Sequence, residues 1–407
     1  MSLIFNEFTK LFIEAQRPIL LVGHGVELAE AIQHLKRLIE IYPIPVVWSQ
    51  GGINVLPSDH LLNIGKVGTK GSRAGNFAVQ NADLVVSIGS RLSVSTTGQD
   101  YKNFAREAKL VVVDIDYYEH HKNTVKVDLF IHLDAQNFLQ WILSTIQVWN
   151  NLKFHPEWVA KCQHWKKIFP VYSKTYAKSE QVNLYYFIEE LSKQLRQGDT
   201  VVADAGSAVF VTSQGLRFGE TNRVILSSAQ AEMGFTLPAC IGVSCANNHG
   251  EVIGITGDGS LQMNIQELQT IKHHELPVKL FVWNNNGYLS MKNTQKAFFG
   301  RYSCADPSSG VSFPNLREIA YAYGIYYMLI PNSKSAAKII ELALMHKGAV
   351  ICEVMCLHEQ EILTIKSKKV GDKFVSMPLE DMSPYIPRKL FKTEMLIKPL
   401  EASLLCA

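Results

Sequence analysis

The chain has 407 residues, of which 47% are hydrophobic and 19% charged, with a mean hydropathy of +0.03. This composition excludes a disordered or collagen-like chain and supplies ample material for buried cores, so two or three domains are expected. Lys and Arg number 40 against 37 Asp and Glu, and the resulting charge of +3 gives no basis for a nucleic-acid or anionic-membrane partner.

The opening stretch MSLIFNEFTKLFIEAQ carries Glu7, Lys10 and Glu14 inside its apolar pattern. It reads as a short amphipathic helix, because a secretory segment would be uninterrupted. No apolar run approaches the roughly 20 residues of a membrane span. The seven cysteines, Cys162, Cys240, Cys245, Cys304, Cys352, Cys356 and Cys406, form no C-x-x-C pair. Neither a disulfide framework nor a zinc site is expected, and the chain reads as cytoplasmic.

Pro18–Val22 is an apolar run that ends in Gly23-His24-Gly25. Helical spacing follows through Leu28, Ile32, Leu35, Leu38 and Ile39. Val46–Trp48, Leu84–Ile88 and Leu110–Asp114 read as further strands. Strands this apolar, alternating with helices, predict a parallel sheet covered on both faces, so residues 1–145 form one α/β domain. Residues 146–180 are polar and aromatic with two prolines and predict a helical linker. A second α/β domain spans 181–360. Its strands are Thr200–Ala203, Arg223–Leu226, Glu251–Thr256, Val278–Trp283 and Ala349–Met355, the last closing the sheet. Leu261, Ile265, Leu268 and Ile271 predict one helix between the third and fourth of these. Residues 361–407 read as an irregular tail that wraps over the body. The predicted class is therefore α/β: two doubly wound parallel-sheet domains, a helical linker and a tail.

The most informative unit runs from 251 to 283. Its first strand ends in Gly257-Asp258-Gly259-Ser260, its second in Asn284-Asn285. Both ends lie on the carboxyl edge of a parallel sheet, so Asp258 and Asn285 meet in one crevice although 27 residues separate them. Gly259 and Ser260 open the following helix, where backbone N–H groups and the helix dipole favour phosphate. A carboxylate, an amide oxygen and a phosphate are ligands that Mg²⁺ accepts. The plain alternatives are strand-end turns for Asp258 and Asn285 and a core methionine for Met233.

These residues carry a resemblance. Gly257–Ser260 with Asn284-Asn285, together with IQELQTI, LPVKLFVWNNNGY and the upstream AEMGFTLPACIGVSCA, resemble the acetolactate-synthase-like branch of the thiamine-diphosphate enzymes. The likeness is specific over the second half and loose over the first domain. It implies that Asp258, the Asn285 side-chain oxygen and the Gly287 carbonyl bind Mg²⁺. It implies that Gly259 and Ser260 hold diphosphate oxygens, with Gly206 and Ser207 touching the same group; a plain turn is the other reading of that pair. Met233 would wedge beneath thiamine diphosphate, and the Ala231 carbonyl would accept from its amino group. The implied reaction is decarboxylation of a 2-oxo acid, pyruvate, with transfer of the two-carbon unit, a transferase or lyase activity.

The family also has a pyrimidine-binding domain whose glutamate activates the cofactor. No stretch here matches it, and Glu232 is not assigned that role. The resemblance thus implies a chain without turnover on its own, working in an oligomer with a separate pyrimidine-domain chain or an intact homologue. The alternative is a truncated, non-catalytic remnant that acts as a regulatory partner of such a homologue. SGVSFPNL and PLEDMSPY resemble relatives found among surface-polysaccharide genes, which points to a sugar-linked ketone as acceptor. FAD, bound by some central domains of the family, stays open; its contacts would lie at Gly71–Asn76 and Gly89–Arg91. Lys366, Lys368, Lys369 and Lys373 form either a solvated turn or a site for a carboxylate or phosphate.

Overall fold

Apolar strands that pair in parallel organise two separate compact units, one of residues 1–170 with 363–407 and one of residues 171–362. The computed structural model describes residues 2–227, 230–370 and 373–404. In the first unit the strands are β1 (Pro18–Val22), β2 (Val46–Trp48), β3 (Asn63–Lys66), β4 (Leu84–Ile88), β5 (Lys109–Asp114) and β6 (Leu129–His132). They form one parallel sheet in the order β3-β2-β1-β4-β5-β6. The second unit holds β7 (Thr200–Ala203), β8 (Arg223–Leu226), β9 (Val252–Gly257), β10 (Val278–Asn284), β11 (Tyr326–Ile330) and β12 (Val350–Met355). Their order is β11-β12-β10-β9-β7-β8, again parallel throughout. Strands β1, β4 and β7 are buried at every residue, as a sheet covered on both faces requires.

Several expectations change in the folded chain. The Ala349–Met355 strand was expected to close the second sheet, yet β12 lies inside it, with Val350 paired to Lys279 of β10 on one side and Tyr326 of β11 on the other. The edge strand on that side is β11, whose Tyr326 is 53% exposed. Strands β6 and β11 are edge strands only partly covered, and β3 is a short run that carries Asn63 and Lys66, so none shows a clear apolar pattern. The helix predicted through Leu28 and Ile39 is two helices, His24–Leu28 and Ile32–Ile41, interrupted where Glu30 takes φ +53°. The helix predicted from Leu261 is likewise broken into Asp258–Leu261, a 3₁₀ turn at Gln262–Asn264, and Glu267–His273. Leu261, Leu268 and Ile271 are still buried, so the apolar face survives the break.

The stretch read as a linker contains the helix Pro156–Ile168, and its Trp158, Cys162 and Trp165 are buried in the core of the first unit. Leu379, Phe391, Met395 and Ile397 of the tail join the same core. The tail also holds the antiparallel pair β13 (Ser367–Val370) and β14 (Lys373–Ser376). It meets the polar row of the helix Arg73–Asn81. Asn76 Nδ2 donates to the Leu379 carbonyl at 2.8 Å and Gln80 Nε2 to Glu380 Oε2 at 2.7 Å. The Leu396 N–H donates to Asn81 Oδ1 at 2.7 Å. Three amides on a fully buried helix face are thereby satisfied, as buried polar groups must be.

Candidate functional site

In the second sheet Trp283 of β10 pairs with Gly257 of β9, so the chain leaves both strands side by side. Asp258 and Asn285 follow these two ends, and each is 3% exposed. Asp258 Oδ1 accepts from the Gly259 N–H at 2.8 Å and Oδ2 from the Gly287 N–H at 3.1 Å. Burial pushes the Asp258 carboxyl up to about 6, against the pull of the Gly287, Gly259 and Asn286 N–H groups and the Lys292 ammonium. Asn284 anchors the loop: Oδ1 accepts from the Asn286 N–H at 3.0 Å and Nδ2 donates to Glu353 at 2.5 Å. Asn285 is thereby left for another task. Its Oδ1 is buried and accepts no hydrogen bond. A buried amide oxygen without a partner is costly unless a donor or cation completes it.

The oxygen donors here suit a hard divalent cation, and they fit Mg²⁺ by type. Gly287 takes φ +155°, and a Cβ there would lie 2.4 Å from the Ala305 carbonyl oxygen. Gly259 is equally constrained, since a Cβ would meet the Tyr288 ring at 2.1 Å. Gly257 has open space where a Cβ would stand. Ser260 is 8% exposed in the same turn.

Gly206 and Ser207 sit at the end of β7, the strand beside β9 at the point where the strand order reverses. Gly206 takes φ +62° and ψ −131°, a region reserved for glycine. Ala231 is also in the left-handed region, at φ +56°, and Met233 is 37% exposed. A methionine this exposed is not a core residue, so the bland reading of Met233 does not describe it.

Asp204 is the residue that sequence reasoning missed. It is fully buried and accepts from the Ala205 N–H at 2.7 Å, the Gly234 N–H at 3.1 Å and Thr256 Oγ1 at 2.9 Å. It therefore ties the Ala231–Gly234 segment to the ends of β7 and β9. The available signal was an acid directly after an apolar strand. Cys240, Cys352 and Cys356 are buried, and burial pushes each thiol up. They are inert packing residues. Cys406 and the side chains of Lys368, Lys369 and Lys373 lie outside the described residues.

In the first unit Gly23 caps the short helix His24–Leu28, and both Gly23 and Gly25 pack against the end of β4. A Cβ on Gly23 would lie 2.1 Å from the Gly89 carbonyl oxygen, and one on Gly25 2.6 Å from Gly89 Cα. Gly89 and Arg91 line a cavity of about 620 Å³ with Asp114, Glu119 and Asp134. Within Gly71–Asn76, Ser72 caps its helix by accepting from the Gly75 N–H, and Arg73 donates to the Met382 carbonyl of the tail.

Residues 5–142 match the thiamine pyrophosphate enzyme central domain, and residues 204–354 match the thiamine pyrophosphate enzyme C-terminal TPP binding domain. The two matches together take in more than two thirds of the chain. The chain is 30% identical over 354 residues to the acetolactate synthase large subunit of Porphyra purpurea, covering 85% of this chain and 58% of that protein. It is 32% identical over 323 residues to a probable acetolactate synthase large subunit of Methanocaldococcus jannaschii, covering 78% and 53%. With the large subunit of Cyanidium caldarium it shares 32% identity over 356 residues, covering 86% and 59%. The chain thus spans little more than half the length of these relatives. Each matched segment lies within one of the two units. The chain belongs to the thiamine pyrophosphate enzymes, its first unit containing their central domain and its second their thiamine-pyrophosphate-binding domain.

Proposed function

We propose that this chain forms the cofactor-binding body of an acetolactate-synthase-like enzyme that decarboxylates a 2-oxo acid, pyruvate, and transfers its two-carbon unit. The observation that carries the reading is the orphaned Asn285 Oδ1 in the loop whose Gly287 N–H bonds the buried Asp258 carboxylate. Asp258, Asn285 Oδ1 and the Gly287 carbonyl would hold Mg²⁺, and the cation would keep Asp258 ionised despite its burial. Gly259, Ser260, Gly206 and Ser207 would receive the diphosphate. Met233 would support the bent cofactor, with the Ala231 carbonyl accepting from its amino group. When bound, thiamine diphosphate supplies the nucleophile and the electron sink for decarboxylation. The residues around it position the reactants and exclude water. The pyrimidine end needs a further domain with an activating glutamate, on a partner chain or elsewhere in the polypeptide.

Calorimetric titration with thiamine diphosphate tests this. Binding should depend on Mg²⁺ and weaken roughly 100-fold or more in Asp258→Ala and Asn285→Ala. Equal affinity of the Asp258→Ala chain would overturn the metal assignment. Pyruvate turnover should appear only when a pyrimidine-domain protein is added, and robust turnover by this chain alone would refute the need for that domain. Cofactor binding without turnover in any combination would favour a non-catalytic remnant.

A further inference from the structure

The first sheet begins at Pro18 and Leu84, which pair across β1 and β4. Beside this amino edge lies a cavity of about 520 Å³, at the other end of the strands from the Gly89–Arg91 cavity. Its volume falls in the usual range for a small-molecule site. Phe154, Trp158 and Leu396 give it apolar walls, while Arg17 and Glu157 place opposite charges on its lining. Arg17 is held in place: its N–H donates to Asp83 Oδ1 at 2.7 Å and its Nε to the Asn81 carbonyl at 2.7 Å. The other Asp83 oxygen accepts from the Gln16 N–H at 2.8 Å, so this nearby acid serves the backbone. The two terminal guanidinium nitrogens make no hydrogen bond or ion pair among the described residues, and neither does the Glu157 carboxylate. Lys161 also lines the cavity, but its ammonium is held by Glu394 at 2.7 Å. The aromatic walls are fixed as well. Trp158 Nε1 donates to the Pro18 carbonyl at 2.8 Å, and the Tyr42 ring meets Phe154 edge-on with centroids 6.5 Å apart. A fixed planar guanidinium matches a carboxylate through two parallel bonds. An open carboxylate in the same lining suits an ammonium. Opposite charges that share a cavity without pairing leave room for a ligand that carries both, and preformed apolar walls lower the cost of ordering it.

We propose that this cavity binds an α-amino acid with an apolar side chain: the Arg17 guanidinium takes the carboxylate, Glu157 takes the ammonium, and Phe154, Trp158 and Leu396 cover the side chain. The site lies wholly within the first unit and does not depend on the cofactor reading above.

The test uses the full chain, with L-phenylalanine as the probe in calorimetric titration. Phenethylamine lacks the carboxylate and 3-phenylpropionate lacks the ammonium, and each should bind about tenfold or more weakly than L-phenylalanine. Arg17→Met and Glu157→Gln should each weaken L-phenylalanine by about tenfold. Glu157→Gln should leave the weak binding of 3-phenylpropionate unchanged, and Arg17→Met that of phenethylamine, a pattern that a general loss of structure would not produce. Glu157 is exposed, so its variant tests the site even where Arg17→Met unfolds the chain. Thermal unfolding of both variants separates lost binding from lost folding. Equal binding of 3-phenylpropionate and L-phenylalanine would overturn the amino-acid assignment. Undiminished binding by Glu157→Gln, or no saturable binding of L-phenylalanine by the parent chain, would overturn it too.

Discussion

The Gly234 N–H donates to Asp204 Oδ1 at 3.1 Å, one of the bonds through which a single buried carboxylate holds three segments of the second unit. Gly234 needs this anchor, since it takes φ +86° directly after the half-exposed Met233. Asp204→Ala removes the acceptor of the Ala205, Gly234 and Thr236 N–H groups and of the Thr256 hydroxyl, and should destabilise the second unit by about 3 kcal/mol or more. Asp204→Asn retains one acceptor oxygen and should lose less. Urea unfolding followed by near-UV circular dichroism checks this, and equal stability of the alanine variant would deny the anchoring role.

Gly259 lies under the Tyr288 ring. Its Ala variant would force the ring away, because the new Cβ would stand 2.1 Å from Tyr288 Cε1. Overpacking of this kind costs about 1–3 kcal/mol. Tyr288→Ala should restore the room, so the double variant should be more stable than the sum of the two single losses implies. Strict additivity in thermal unfolding of the three chains would contradict the contact.

Glu394 fastens the tail within the first unit. Its carboxylate accepts from Lys161 Nζ at 2.7 Å, Trp165 Nε1 at 2.9 Å and His164 Nε2 at 3.2 Å. Glu394→Ala should cost about 1–3 kcal/mol, the half-exposed His164 partner being worth little. Limited proteolysis should then cut sooner between residues 380 and 400, and an unchanged cleavage rate would count against this anchor.

Lys66, 4% exposed at the end of β3, has its ammonium pushed down to about 7 by burial and by the charge of Lys70. The neutral form is favoured in the fold, while the unfolded chain keeps the usual value near 10.5. The unfolded state therefore binds more protons between about pH 7 and 10.5, and stability rises with pH across that window. Lys66→Met should raise the melting temperature at pH 6.5, and the gain should shrink towards pH 10. A gain that does not vary with pH would show that the lysine is charged at no cost.

The meeting of Asp258 with Asn285 was legible from residue order, because two parallel strands joined by one helix must end on the same edge. Gly206 and Gly287 take positive φ and Gly259 packs against the Tyr288 ring, which residue order alone did not reveal. The tail was not legible either. Its Leu379, Phe391 and Ile397 carry no periodic pattern, yet they fill the first unit's core opposite a helix that begins at Arg73. Nor did the polar face of that helix announce burial, since Asn76, Gln80 and Asn81 look solvated until the tail supplies their partners.

Fold class, the βαβ order and the acid–amide pair followed from local pattern, since apolar runs and turn residues report what each segment does on its own. Tertiary structure decided what those segments meet. It placed β12 inside its sheet, left Asn285 Oδ1 without a donor and gave one buried aspartate three segments to hold. These are contacts between residues far apart in the chain, and they depend on which strands become neighbours. Only folding settles that, through the burial and hydrogen-bond satisfaction of the whole unit.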